Sequence, residues 1–387
     1  MKSLALALLL FSAAPALADD YFLYAGSYTD PPSTAKGIYA WRFSPDTDTL
    51  TPLGLAAPTI NPAYVTATPD GKYLYAVNWQ TPDADKGADT VSAFSIDRKT
   101  GKLTFLNKAP AGGALPNQVI VAPGARAVVV TDYSFTFKDN NVEQNNSAFT
   151  ALPILADGKL GAPFFRDHHD GPALSPKQVN GAHTHGVIFS KDGRYAFVAE
   201  LGLDRVYTYR FDPSKPSFAP FDPPYINTSA GAGPRRLQLS PNGKFLYVNH
   251  ETDSKVSVFA VDGGHLSEVQ QISTLPPDFN GRNTTAEIAL DAQGRHLYVS
   301  NRGDDSVIVY DVDPAKGTLT FDQRAPALGK SPRNILIDPS GNYLFAANQT
   351  SNNIAVFKRD VSSGHLTPTG QSLEVGQPGS LTFIKAQ

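Results

Sequence analysis

The segment GAHTHGVIFSKDGRYAF (181–197) sets two imidazoles two residues apart, at His183 and His185, against the start of an apolar, strand-like run. On a strand that spacing puts both rings on one side, a geometry suited to two ligands of a zinc-type metal, and His168, His169 and Asp170 would extend the donor set. An imidazole near neutral pH serves equally as a general base. Other side chains offer complementary chemistry. Arg235, Arg302 and Arg333 can stabilise an oxyanion or hold a carboxylate or phosphate, Glu251 can take a proton, and Glu287, Asn301, Asn348 and Gln349 can bind polar substrate groups. Covalent routes are poorer: the chain has no cysteine, no GxSxG elbow, and its GAGP (231–234) lacks the strand-to-helix context of a phosphate-binding loop.

Which of these residues meet depends on the elements that carry them, and those elements repeat. PAYVTATPDGKYLYAVN (from Pro62), THGVIFSKDGRYAFVAE (from Thr184), PRRLQLSPNGKFLYVNH (from Pro234), TAEIALDAQGRHLYVSN (from Thr285) and PRNILIDPSGNYLFAAN (from Pro332) share one template. PNQVIVAPGARAVVVTD, from Pro116, is one residue shorter before its glycine. Each copy is an apolar run, a turn built on Gly71, Gly124, Gly193, Gly243, Gly294 or Gly341, and a second run rich in Tyr, Phe and Val, which spells a β-hairpin. Two further strand-like segments follow each hairpin. A four-stranded unit recurring about every fifty residues predicts an all-β, seven-bladed propeller. Its seventh blade is split: YFLYAGSY, GIYAWRFS and LTPLG near the N-terminus supply strands two to four, and PGSLTFIKA (from Pro378) supplies the first, closing the ring. The long interval from Gly124 to Gly193 reads as an inserted loop beside the pocket.

In an antiparallel hairpin the start of strand one and the end of strand two lie at the same end, so equivalent positions form rings on one face. The first ring reads Ala63, Asn117, His185, Arg235, Ala286, Arg333 and Gly379; the second, eight residues after each turn glycine, reads Trp79, Asp132, Leu201, Glu251, Arg302 and Gln349. Both rings depart from the template, where a purely structural repeat would recur, and they gather charge. His185 shares its position with Arg235 and Arg333 and is therefore the pocket residue of the histidine pair, while His183 lies just outside the template. No metal is expected, and no cofactor.

Residues 1–18, MKSLALALLLFSAAPALA, join a basic Lys2 to a short apolar run and a small-residue ending, the pattern of a secretory signal peptide, with residues 19–387 as the propeller domain and a periplasmic or secreted location. No stretch is long enough to span a bilayer. A net charge of −3 with 18% charged residues supplies no basic footprint for nucleic acid. The expected partner is a small molecule.

The stretch from His183 onward, with HTHGVIF, GAGPRRLQLSPNGKFLYVNHE, NGRNTTAEIALDAQGRHLYVSNRG and GKSPRNILIDPSGNYLFAAN in order, resembles the seven-bladed propeller lactonases, which include bacterial 6-phosphogluconolactonases and fungal carboxy-muconate lactonizing enzymes. The resemblance implies hydrolysis of a sugar lactone, gluconolactone or its 6-phosphate, with His185, Arg235, Glu251 and Arg302 as the catalytic set. His183, Glu287, Asn301, Arg333, Asn348 and Gln349 are then the substrate-binding candidates. Glu251 and His185 both stand as the base. Two other functions remain open on the same scaffold: a muconate-type lactonizing enzyme, and a non-catalytic periplasmic propeller that binds a ligand or protein.

Overall fold

The computed structural model describes residues 19–79, 89–134, 137–139, 142–144, 147–171 and 181–387. The signal-peptide expectation for residues 1–18 lies outside the described residues. Seven four-stranded antiparallel sheets form a ring, accompanied by one two-stranded hairpin, Phe137–Asp139 with Val142–Gln144. Their innermost strands are Pro62–Ala67, Pro116–Val121, Thr184–Phe189, Pro234–Leu239, Thr284–Leu290, Pro332–Ile337 and Pro378–Lys385, which we call blades one to seven in that order.

Blade seven closes the ring as the repeat predicts. Pro378–Lys385 pairs with Tyr21–Ser27, which pairs with Gly37–Ser44 and then Thr49–Pro58. Its strands pack on both neighbours: Phe22, Tyr24 and Ile38 join a core with Leu74 and Phe94 of blade one, and Leu23, Trp41 and Phe43 join one with Phe345 and Val356 of blade six. Each fully buried Phe or Leu contributes roughly 1.5–3 kcal/mol, so the closure is held by apolar burial on two sides as well as by its ladder.

Within a blade the second strand is buried on both faces, as in the unbroken burial of Phe245–His250, because a neighbouring blade covers each face. Outermost strands alternate with exposed residues, as along Leu319–Pro326. The turn glycines all adopt positive φ, between 67° at Gly71 and 84° at Gly124, which is the conformation that fixes a glycine there. Part of the stretch expected to be an inserted loop is regular blade: Ala148–Pro153 and Phe165–Asp167 are the third and fourth strands of blade two. Among the described residues no helix is long and apolar enough to cross a membrane.

Candidate active site

The ladder between first and second strands skips a residue at the same place in every blade. Pairing passes from Pro62↔Asn78 to Tyr64↔Val77, leaving Ala63 without a partner. The same bulge leaves out Asn117, His185, Arg235, Arg333 and Gly379, and in blade five it spans Ala286 and Glu287. A β-bulge bends its strand and re-aims the extra side chain. The first ring read from the sequence is therefore a ring of bulged residues.

The second ring needs one correction. Asp132 pairs with Pro116, so it is the counterpart of Asn78, Glu200, His250, Asn301 and Asn348, each of which pairs with the first template residue of its inner strand. All six are 0% exposed. These polar side chains brace the loops between blades: the Asn78 amide donates to the Ile60 carbonyl, Asn301 to that of Thr274, and Asn348 to that of Ala327. Asn301 and Asn348, expected at the substrate, thus sit in this bracing layer. Tyr133, one residue further on, takes the place equivalent to Glu251 and Arg302. Counting from Gly124, which stands one residue early in its turn, hides it, whereas counting from Pro116 finds it.

A cavity of about 670 Å³ is lined by Tyr133, Leu201, Glu251, Arg302 and Gln349 from this ring, with Arg282 and Asn283 from the loop before blade five. Against Glu251 converge three other members of the expected catalytic set. Arg235 Nε donates to Glu251 Oε2 at 2.6 Å, Arg302 Nη2 lies 3.1 Å from the same oxygen, and His185 Nε2 lies 3.9 Å from it. Arg235 also donates to the Ala286 carbonyl, and Arg302 to that of Thr285 at 2.9 Å. Arg333 is half-buried over the Tyr28 ring at 5.3 Å, with no carboxylate in ion-pair reach among the described residues.

These charges act on one another. Burial works to raise the Glu251 carboxyl, but the guanidiniums of Arg302, Arg235 and Arg333 outweigh it and bring its pKa down to about 2. Burial also lowers Arg235, to about 9, with Arg302 adding repulsion, which leaves it a cation at neutral pH. His185 is pushed well below the ordinary imidazole value by burial first, and then by Arg235, Arg236, Arg333 and Arg302. It is neutral at pH 7, and its Nδ1 is buried without a hydrogen-bond partner.

The residues that follow the bulges make a third, deeper layer. Arg236 donates to the His185 and Asn117 carbonyls at 2.8 and 3.0 Å, stacks over Tyr64 at 4.8 Å, and reaches Glu287 at 3.6 Å. Asn334 donates to Glu287 at 2.7 Å. Glu287, expected at the substrate, stands in this layer and ties blades four, five and six together. Gly186 belongs here too: a methyl group on its Cα would lie 2.3 Å from the Arg235 carbonyl oxygen. Gly186→Ala should therefore force blades three and four apart beside the site and cost roughly 1–3 kcal/mol. An unchanged melting temperature would show that the contact yields freely.

The opening histidines part company. His183 is wholly buried; its Nδ1 bonds the Tyr133 carbonyl oxygen at 2.7 Å, and its ring stacks on that of Tyr133 at 4.4 Å. His168 bonds the Ser147 carbonyl and Asp170, and His169 bonds Glu200 and Tyr209. Among the described residues no three potential metal ligands gather.

A family model described as "Lactonase, 7-bladed beta-propeller" matches residues 22–383. The chain belongs to this lactonase family. Membership carries the reaction class, hydrolysis of a lactone. Among its relatives, a 6-phosphogluconolactonase of Bacillus subtilis is 30% identical over 82% of this chain and 84% of its own. A solved structure described as a periplasmic gluconolactonase of Pseudomonas aeruginosa superposes with a TM-score of 0.87 at 33% identity, covering 95% of this chain and 100% of that one. A putative 6-phosphogluconolactonase of Bacteroides fragilis gives 0.86 at 28% identity, covering 96% and 100%.

Proposed function

We propose that the mature protein, residues 19–387, is an exported aldonolactonase that opens gluconolactone or its 6-phosphate by metal-independent general-base catalysis. Export rests on the leader-like composition of residues 1–18 and on the likeness to a gluconolactonase described as periplasmic. The observation that carries the mechanism is the convergence of Arg235, Arg302 and His185 on a single oxygen of Glu251.

A carboxylate held down to about 2 by two guanidiniums is a weak proton acceptor, whereas neutral His185 is a competent one. His185 is thus the base. A gap of 3.9 Å between His185 Nε2 and Glu251 Oε2 admits a water hydrogen-bonded to both. That water attacks the lactone carbonyl, His185 takes its proton, and Glu251 stabilises the imidazolium so formed. Arg302, at the cavity wall, faces the developing oxyanion; Arg235, only 1% exposed, holds Glu251 in place. Arg333 and Gln349 hold substrate hydroxyl or phosphate groups.

The sign of the pH dependence follows. Activity needs neutral His185, and its environment disfavours the protonated form, so kcat/KM for gluconolactone should stay level from neutral pH down through about 6.5 and decline only in more acidic solution. Glu251 stays ionised across that range. The test is a pH profile on the purified mature protein with gluconolactone and its 6-phosphate, with and without a chelator. An acid limb centred at or above 6.5 would remove His185 as base, and chelator-sensitive turnover would remove metal independence. Turnover of a muconate without turnover of either lactone would favour the lactonizing reaction instead.

A further inference from the structure

Ring opening needs a second proton transfer that the catalytic set described so far leaves unassigned. When the carbon–oxygen bond of the lactone breaks, the departing ring oxygen carries an electron pair and is strongly basic unless protonated. Arg235 and Arg302 commit their N–H groups to Glu251 and to the Ala286 and Thr285 carbonyls, and Glu251 is a carboxylate, so none of them is placed to give a proton to that oxygen. His185 begins neutral, and the imidazolium it becomes on taking the water's proton is held by Glu251 on the side from which the water attacks.

Tyr133 occupies the cavity at the ring position equivalent to Glu251 and Arg302, and its hydroxyl makes no hydrogen bond among the described residues. Tyr133 lies just past the end of its strand, yet it is held on several sides. Its backbone N–H donates to the Leu115 carbonyl at 3.0 Å, its own carbonyl accepts from His183, and the His183 imidazole lies flat against it with 21° between the planes. The Tyr133 and His185 rings meet edge to face, centroids 5.8 Å apart. A phenol fixed on two sides, facing the cavity and next to the base, has the placement of a proton donor rather than of a core aromatic.

Resting on the lactonase reading, we infer that Tyr133 is a catalytic residue, the general acid that protonates the departing ring oxygen, and that His183 is its positioning residue. The step balances as follows. Water oxygen bonds to the carbonyl carbon and its proton passes to His185; the bond from that carbon to the ring oxygen breaks, and the Tyr133 hydroxyl proton passes to the oxygen. The imidazolium then returns a proton to the phenolate through cavity water, and both groups are restored. The net change is lactone plus water to hydroxy acid, which ionises in solution. Burial raises the phenol to about 12, with the Glu251 charge adding to it and Arg235, Arg302 and Arg333 opposing, so it stays protonated at neutral pH while remaining acidic enough to serve an alkoxide.

The experiment compares two leaving groups. An aldonolactone expels an alkoxide, which needs the acid; an aryl lactone such as dihydrocoumarin expels a phenoxide with a conjugate acid near 10, which needs it far less. Tyr133→Phe should lower kcat on gluconolactone by about a hundredfold and on dihydrocoumarin by less than about tenfold, with an unchanged melting temperature. His183→Ala should show the same leaving-group dependence in weaker form, which a merely structural role would not produce. Equal losses on both lactones would make Tyr133 a binding group and overturn the proposal alone, as would no loss on either. If the unmodified protein turns over neither lactone, the lactonase reading falls and the proposal with it.

Discussion

His185→Asn protein is expected to fold like the parent and to open gluconolactone roughly 10²–10⁴ times more slowly, the usual contribution of a positioned general base. The fold should tolerate the change because the hydrogen bonds His185 makes run through its backbone: its carbonyl accepts from Thr131 at 3.0 Å and Arg236 at 2.8 Å, and neither bond needs the ring. Nor does the change disturb the charge balance. The imidazole is neutral at pH 7 and forms no hydrogen bond through its buried Nδ1, so its removal leaves no cation or acceptor newly stranded. Asparagine cannot replace it as a proton acceptor. The loss should appear in kcat while the far-UV spectrum and melting temperature hold; parent-like kcat would sink the assignment of His185 as base.

Glu251→Gln should act on both stability and rate. The carboxylate is the partner shared by Arg235 and Arg302, and without it these guanidiniums face Arg236 and Arg333, while among the described residues Glu287 pairs with Arg236. Breaking such a partly buried pair costs about 3–5 kcal/mol. Linkage sets the sign with pH. The folded-state pKa of about 2 lies below the ordinary 4.5, so the carboxylate's contribution, ~3 kcal/mol, is fully present above 4.5 and fades as pH falls through 2. Denaturant unfolding at pH 7 should show the variant weaker by that order, and the gap between the two proteins should narrow in acid. A gap that stays constant from pH 7 to 3 would mean that the charge is not what holds the cluster. Turnover should fall as well, since Arg302 loses the group that aims it.

The propeller was legible because its signals are local. Turn glycines and apolar runs of strand length recur from copy to copy, with Asp or Asn close to the glycine in every hairpin but that of Gly124, and each copy encodes its hairpin without help from distant residues. The split blade was legible for the same reason, as three strands' worth of template at one end and one at the other. The site was legible only where the template spacing held. In blade two the glycine stands one residue early within a hairpin of unchanged length, and counting from it put Asp132 into a ring where Tyr133 stands. Asn301 and Asn348 show a different limit: an asparagine next to a cavity and one folded back onto a loop carbonyl look alike in sequence, and the choice between them is made by strand register. His183 lies just outside the template, and its ring partner comes from blade two, a contact no spacing within blade three reports. Arg282 stands in a loop outside the repeat, so no template position pointed to it.

The bulge common to all seven blades separates two demands that usually compete within one strand. Because the bulged residue has no ladder partner, its identity can change without altering the pairing that holds the blade, and the scaffold behaves like a ring of sockets with independently exchangeable contents. Four sockets hold the polar side chains of Asn117, His185, Arg235 and Arg333, whereas blades one and five offer only the methyl groups of Ala63 and Ala286. Because Ala63 is 4% and Ala286 0% exposed, an engineer filling either socket must also carve room around it: a carboxylate at position 286, between Arg235 and Arg333 in the ring, would trade packing for a shift from anionic towards neutral substrates.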